Sequence, residues 1–233
     1  MTSTSACAET EHGRSDQARF RLIVLDFDGT LADSFPWFCG VLNGVADRYG
    51  FRRVEAHQRD DLRALPARAI IRRLGVPAWK LPMIARHMHG LAARDIAEIR
   101  LFPGITPMLT ALSEQGTALA LLSSNTEANV RRVLGPASAA RIDHVACGAA
   151  LFGKARRLGT LLRRVGVAAA DVLCVGDEIR DLEAARAVGC AFGAVTWGYT
   201  SAAALEAAEP DFLFRAPADI PLVVRPDRGR TRR

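Results

Sequence analysis

The stretch Leu22-Ile23-Val24-Leu25-Asp26-Phe27-Asp28-Gly29-Thr30 constrains the fold more than any other part of the chain. Its uncharged, aliphatic opening reads as a strand buried on both faces, the pattern of a parallel sheet covered by helices on either side. The end of such a strand is where α/β sheets bind ligands. Side chains alternate along a strand, so Asp26 and Asp28 point to one side and Phe27 to the other, while Gly29 lets the backbone turn sharply away. Two carboxylates then share one small space. They repel unless a cation neutralises them or one holds a proton, and hard oxygen donors of this kind suit Mg²⁺. Taken alone, the segment is equally a strand that ends in an ordinary Asp-Gly turn.

The same form recurs at Val172-Leu173-Cys174-Val175-Gly176-Asp177-Glu178-Ile179-Arg180-Asp181. Two strands therefore deliver acids to one edge. A structural reading has Asp177 capping a helix from Ile179 to Val188, with Glu178 and Asp181 complementing its dipole. Capping and metal binding are compatible, because Asp181 can face a site from a helix N-terminus. Between these two strands lies a third, Ala118-Leu119-Ala120-Leu121-Leu122-Ser123-Ser124-Asn125, which ends in hydroxyls. Ser124 and Glu127 have capping-box spacing for a helix through about Leu134, which leaves Ser123 as the better phosphate ligand. The fourth element is Lys154, preceding a helix from Ala155 to Val165. The chain holds only Lys80 and Lys154 among many arginines, so a retained lysine suggests a compact point charge. A solvated helix-start lysine is the alternative.

These four segments, in this order, resemble the haloacid dehalogenase-like superfamily of phosphohydrolases over residues 21–214. Asp26 and Asp28 fit its first motif, Ser123 its second, Lys154 its third and Gly176-Asp177 through Asp181 its fourth. Ser123-Ser124-Asn125, Leu151-Phe152-Gly153-Lys154, the run Gly176 to Ala185 and Thr196-Trp197-Gly198-Tyr199 read like its phosphoglycolate-phosphatase-like group. The resemblance implies a Rossmann-like parallel α/β core with a small helical cap inserted after the first strand. It also implies roles. Asp26 is the nucleophile that forms an aspartyl-phosphate, and Asp28 is the acid and base that protonates the leaving alkoxide and then deprotonates water. Mg²⁺ is held by Asp26, the main-chain carbonyl of Asp28 and Asp177. Ser123 and Lys154 bind the phosphoryl oxygens, and Asp181 orients metal-bound water from behind the ligands. Dehalogenating relatives lack an aspartate at the position of Asp28, which points to phosphoryl transfer. A phosphonate-cleaving relative needs a cap lysine, for which Lys80 is the one candidate; a loop or helix-start role suits it better.

At 233 residues and 49% hydrophobic, the chain accommodates one α/β core with a modest insertion. Core segments are expected at 21–33 and 101–224, with the cap at 34–100. Within the cap, Pro36 to Tyr49, Ala67 to Leu74 and Pro82 to Ile99 carry helical periodicity, broken by Gly50, Gly75 and Pro77. Specificity is expected there. Arg63, Arg68, Arg72, Arg73, Lys80, His87 and His89 could meet an anionic leaving group, but each is more simply a solvated helix-face residue. Residues 1–20 are polar, with no signal-peptide centre, and read as a disordered leader. Five cysteines without metal-type spacing read as reduced thiols, which places the chain in the cytoplasm. No segment reads as a membrane span. The net charge of +6 owes much to the tail 225–233, where five arginines accompany one aspartate. Without interleaved aromatics, the tail reads as solvated and disordered rather than as a nucleic-acid arm. Trp197 either rims the pocket or packs on the core.

The expected activity is a Mg²⁺-dependent phosphomonoesterase acting on a small phosphorylated metabolite, phosphoglycolate being the best single guess. A phosphomutase keeps the same motifs, and a non-catalytic or nucleic-acid-associated protein is a third reading that intact Asp26, Asp28, Lys154 and Asp177 argue against. The sequence sets no oligomeric state.

Overall fold

The structure, a computed structural model, describes residues 20–148 and 153–224. The expected leader, except Phe20, the basic tail and the Leu151-Phe152 portion of the third motif lie outside the described residues.

The strands are β1 (Leu22–Leu25), β2 (Ala32–Asp33), β3 (Arg100–Leu101), β4 (Ala118–Leu122), β5 (His144–Ala146), β6 (Val172–Gly176), β7 (Ala191–Val195) and β8 (Phe212–Phe214). The helices are α1 (Phe35–Tyr49), α2 (Arg59–Arg63), α3 (Ala67–Leu74), α4 (Leu81–Arg94), α5 (Ile105–Glu114), α6 (Glu127–Ala139), α7 (Lys154–Val165), α8 (Ile179–Val188) and α9 (Ala202–Ala207). A six-stranded sheet runs in the order β5-β4-β1-β6-β7-β8, parallel throughout.

The sheet explains why its strands show no polar alternation. Ile23, Leu25, Leu119, Leu121, Leu173 and Val175 pack into one core, while Leu22, Val24, Ala120, Leu122, Val172 and Cys174 pack into another on the opposite face. Both faces are dry, so both registers of each strand are apolar. Each fully buried aliphatic side chain contributes about 1.5–3 kcal/mol. Phe20 already belongs to the first core, with its ring edge-on to Phe212.

Between β2 and β3, which pair antiparallel, the chain leaves the sheet for a helical insertion comprising α1 to α4. Its own small core is Val54, Leu62 and Leu74. Pro36 sits in the first turn of α1, where a missing N–H costs nothing, and Gly50 ends that helix with φ 68°. Helix α3 has the expected bounds. The fourth helix ends sooner than its periodicity suggests, because Asp95 leaves helical geometry and its carboxylate accepts from Trp37 Nε1 and Arg94. A single 3₁₀ turn, Ile96–Glu98, completes the span.

Two helix caps differ from the sequence reading. Thr126, not Ser124, caps α6 by accepting from the Asn129 N–H. Beyond Leu134 that helix kinks at Gly135, φ 68°, before a final turn to Ala139. Glu178, not Asp177, occupies the N-cap of α8, and its N–H donates to Asp181 Oδ2.

Candidate active site

Strand register brings the predicted residues to one edge. Leu25 lies level with Leu121 of β4 and Val175 of β6. The residues immediately beyond these strands, Asp26, Ser123 and Asp177, therefore emerge together, 5%, 1% and 0% exposed. All three sit at the carboxyl end of a parallel sheet.

Lys154, the first residue of α7, reaches into this edge. Its Nζ lies 2.8 Å from Asp26 Oδ1 and 2.6 Å from Asp181 Oδ1. Burial works to lower the ammonium pKa, but the Asp181 and Asp26 carboxylates outweigh it and hold the group above its ordinary range. The two carboxylates thus favour the charged form of Lys154. Burial raises Asp26 to about 7 despite the pull of Lys154. Asp181 divides its oxygens between Lys154 and the N-cap of α8, so it locks the lysine to the helix.

Asp177 accepts from Thr30 Oγ1 at 2.9 Å and from the Tyr199 N–H at 2.7 Å. Burial, then the Glu178, Asp26 and Asp181 carboxylates, push its pKa well up. The crowding around it depends on glycine. Gly29 has φ +79°, and a Cβ there would lie 2.1 Å from Asp177 Oδ2.

Oxygens of Asp26, Asp177 and Asp181 lie within 4.8 Å of one another. Acids outnumber bases in the cluster, where Asp26, Asp28, Asp177, Glu178 and Asp181 face Lys154 and Arg180. An anionic, oxygen-only donor set with excess negative charge fits a hard divalent cation.

Asp28 is held by the side chains of Asn125 and Ser34, and burial raises its pKa nonetheless. Ser123 Oγ accepts the Asn125 N–H at 3.0 Å, which leaves its own proton free to be donated outward. Several neighbours take places here that the sequence did not assign them. Asn125 touches Asp28 across 97 residues, and His89 of α4 faces Asp28 and the Ser124 carbonyl. Arg180 is buried beside Glu178, and burial's downward pull on it is overcome by that acid, Asp181 and Asp26. Only its place in the fourth motif hinted at such a position.

Other candidates fall elsewhere. Lys80 Nζ donates to the Tyr49 carbonyl at 2.6 Å, closing the end of α1 rather than entering the site. Arg63 donates to the carbonyls of Tyr199 and Gly198 at 3.0 and 2.9 Å, so it clasps the loop behind Asp177. Trp197 packs: its Nε1 donates to the Thr30 carbonyl, and its ring lies edge-on to Phe102.

The profile of the haloacid dehalogenase-like hydrolases matches residues 23–195. A phosphoglycolate phosphatase of Synechococcus elongatus is 35% identical over 85% of this chain and 94% of its own length. A second phosphoglycolate phosphatase, from Vibrio cholerae, is 30% identical over 83% of this chain and 92% of its own. The fold matches that of a haloacid dehalogenase-like family hydrolase from Streptococcus pneumoniae with a TM-score of 0.71 at 20% identity, covering 87% of this chain and 97% of that one. The chain belongs to the haloacid dehalogenase-like hydrolases. Within them it is of the phosphoglycolate-phosphatase-like group, and so a phosphoric monoester hydrolase.

Proposed function

We propose that the chain is a Mg²⁺-dependent phosphatase that hydrolyses a small phosphorylated metabolite, phosphoglycolate foremost, through an aspartyl-phosphate on Asp26. One observation carries the reading: Lys154 pins Asp26 Oδ1, while Asp26, Asp177 and Asp181 gather their oxygens around one point. An ion-paired Asp26 is oriented to attack phosphorus in line. Ser123 and Lys154 take the phosphoryl oxygens, the first by its free hydroxyl proton and the second by charge. Asp28, whose raised pKa favours a held proton, gives that proton to the leaving oxygen and later takes one from water. Asp26, the main-chain carbonyl of Asp28 and Asp177 are the residues that would hold Mg²⁺, with Asp181 behind them. Bound there, Mg²⁺ supplies neutralisation of charge on the phosphoryl oxygens.

The preference for phosphoglycolate rests on the two relatives. The helical insertion acts as the cap, clasped to the core by Arg63 and excluding water. Cys39, Cys147, Cys174 and Cys190 are free thiols, which favours the cytoplasm. Among the described residues no helix is long and apolar enough to cross a membrane.

The test is phosphate release from phosphoglycolate and a panel of other phosphorylated metabolites, with and without Mg²⁺. Turnover should require the metal. Asp26→Asn should retain less than about a thousandth of the rate, since an amide fills the space without a nucleophilic oxygen. Appreciable turnover by that variant would overturn the mechanism.

A further inference from the structure

Asn129 is 3% exposed in the first turn of α6. Its main-chain N–H already serves the helix cap through Thr126 Oγ1, so capping needs nothing from its side chain. A buried amide pairs its donors, and this one spends both on specific partners. Nδ2 donates at 3.1 Å to Asn125 Oδ1 and at 3.1 Å to the main-chain carbonyl of His89 in α4.

The first of these bonds fixes a polarity. Asn125 Oδ1 also accepts the Thr126 N–H at 2.8 Å. Two donors converge on that oxygen, and rotating the Asn125 amide by half a turn would set N–H against N–H at both contacts. The Asn125 NH₂ must therefore face Asp28, where it donates to Oδ2 at 3.1 Å. Asp28 Oδ2 is thereby fixed as the acceptor of that bond.

We propose that Asn129 is a positioning residue for the hydrolysis. It locks the Asn125 amide with its NH₂ on Asp28 Oδ2, so that the carboxyl is held in one orientation, and through the His89 carbonyl it ties that lock to the helical insertion. The inference rests on the reading of Asp28 as the acid. In the step it serves, an Asp26 oxygen bonds to phosphorus as the P–O bond to the leaving group breaks. The Asp28 proton passes to the departing oxygen, leaving an alcohol and the Asp28 carboxylate, which water later reprotonates as it hydrolyses the phosphoenzyme.

The experiment compares kcat for an alkyl phosphate, phosphoglycolate, with kcat for p-nitrophenyl phosphate, whose leaving group needs little protonation. Asn129→Ala and Asn129→Ser are measured beside Asp28→Asn, with thermal unfolding and a Mg²⁺ titration of each. Asn129→Ala should lose about 10- to 100-fold on the alkyl ester and under about 3-fold on the aryl ester, with its Mg²⁺ midpoint unmoved. Asn129→Ser keeps a small polar group in the helix, and the same selective loss is required of whichever variant is folded. Equal losses on both esters, or none, while Asp28→Asn still discriminates between them, would overturn the positioning role and leave Asp28 as the acid. Failure of Asp28→Asn to discriminate would remove the acid itself, and the proposal with it.

Discussion

Asp177 has no solvent exposure, and each of its oxygens already holds one donor, Thr30 Oγ1 on one and the Tyr199 amide on the other. These bonds aim the carboxylate without exhausting its lone pairs. Asp177→Ala should raise the Mg²⁺ concentration for half-maximal activity by about tenfold or more, by analogy with losses seen when metal-site partners are removed. A metal titration of rate decides it, and an unmoved midpoint would place the cation elsewhere. Asp26, Asp28, Ser123 and Asp177 stood out because apolar strands end abruptly beside them, and Lys154 because lysine is so scarce in the chain. The helix caps were not. Ser123 to Thr126 and Asp177-Glu178 each offer several acceptors in succession, and only backbone angles select which one caps. The contact between Asn129 and His89 was out of reach for another reason: it joins residues 40 positions apart in unrelated helices.

Helix α2 is too short to show periodicity, and it was missed, yet it delivers Arg63 to the core. There the guanidinium also lies over the Phe35 ring, 5.0 Å from its centre, and the Arg63 carbonyl accepts the Ser201 N–H. Arg63→Ala should cost about 1–2 kcal/mol of stability, the worth of charged hydrogen bonds discounted for partial exposure. It should also speed proteolysis within the insertion. Thermal unfolding and limited proteolysis check this; wild-type behaviour in both would mean the clasp is idle. Longer elements were read closely: α3 and α8 have the expected bounds, since each is closed by a glycine, Gly75 and Gly189. The half-buried β5 and the short β8 carry too few residues for a pattern of their own.

The molecule as a whole follows from strands that are apolar in both registers, which admit only a sheet with helices on each face. What sequence could not supply was the strand order, because crossovers set it over long separations. The charge balance at the sheet edge has a global consequence. Burial raises Asp26 to about 7, and raises Asp28 and Asp177, relative to unfolded values near about 3.9. An acid with a raised native pKa contributes stability below its unfolded pKa, and that contribution is lost as pH climbs toward the native value. Chelator-treated protein should therefore weaken between about pH 4 and about pH 7. The Tm gain on adding Mg²⁺ should be larger at about pH 7.5 than at about pH 5, by about 5 °C or more, because the cation takes ionised ligands. Thermal unfolding across pH measures it, and a pH-independent gain would count against the carboxylates as its ligands.

The scarcity of lysine reaches beyond the fold, into the protein's handling at the bench. Its side-chain amines are Lys80, occupied by the Tyr49 carbonyl, and Lys154, held between two carboxylates at the sheet edge. Acylating reagents, which need an uncharged amine, meet few targets on an arginine-covered surface that they leave unaltered. Lys154, buried and held charged between Asp26 and Asp181, offers no uncharged amine, so acylation should spare the charge that orients Asp26.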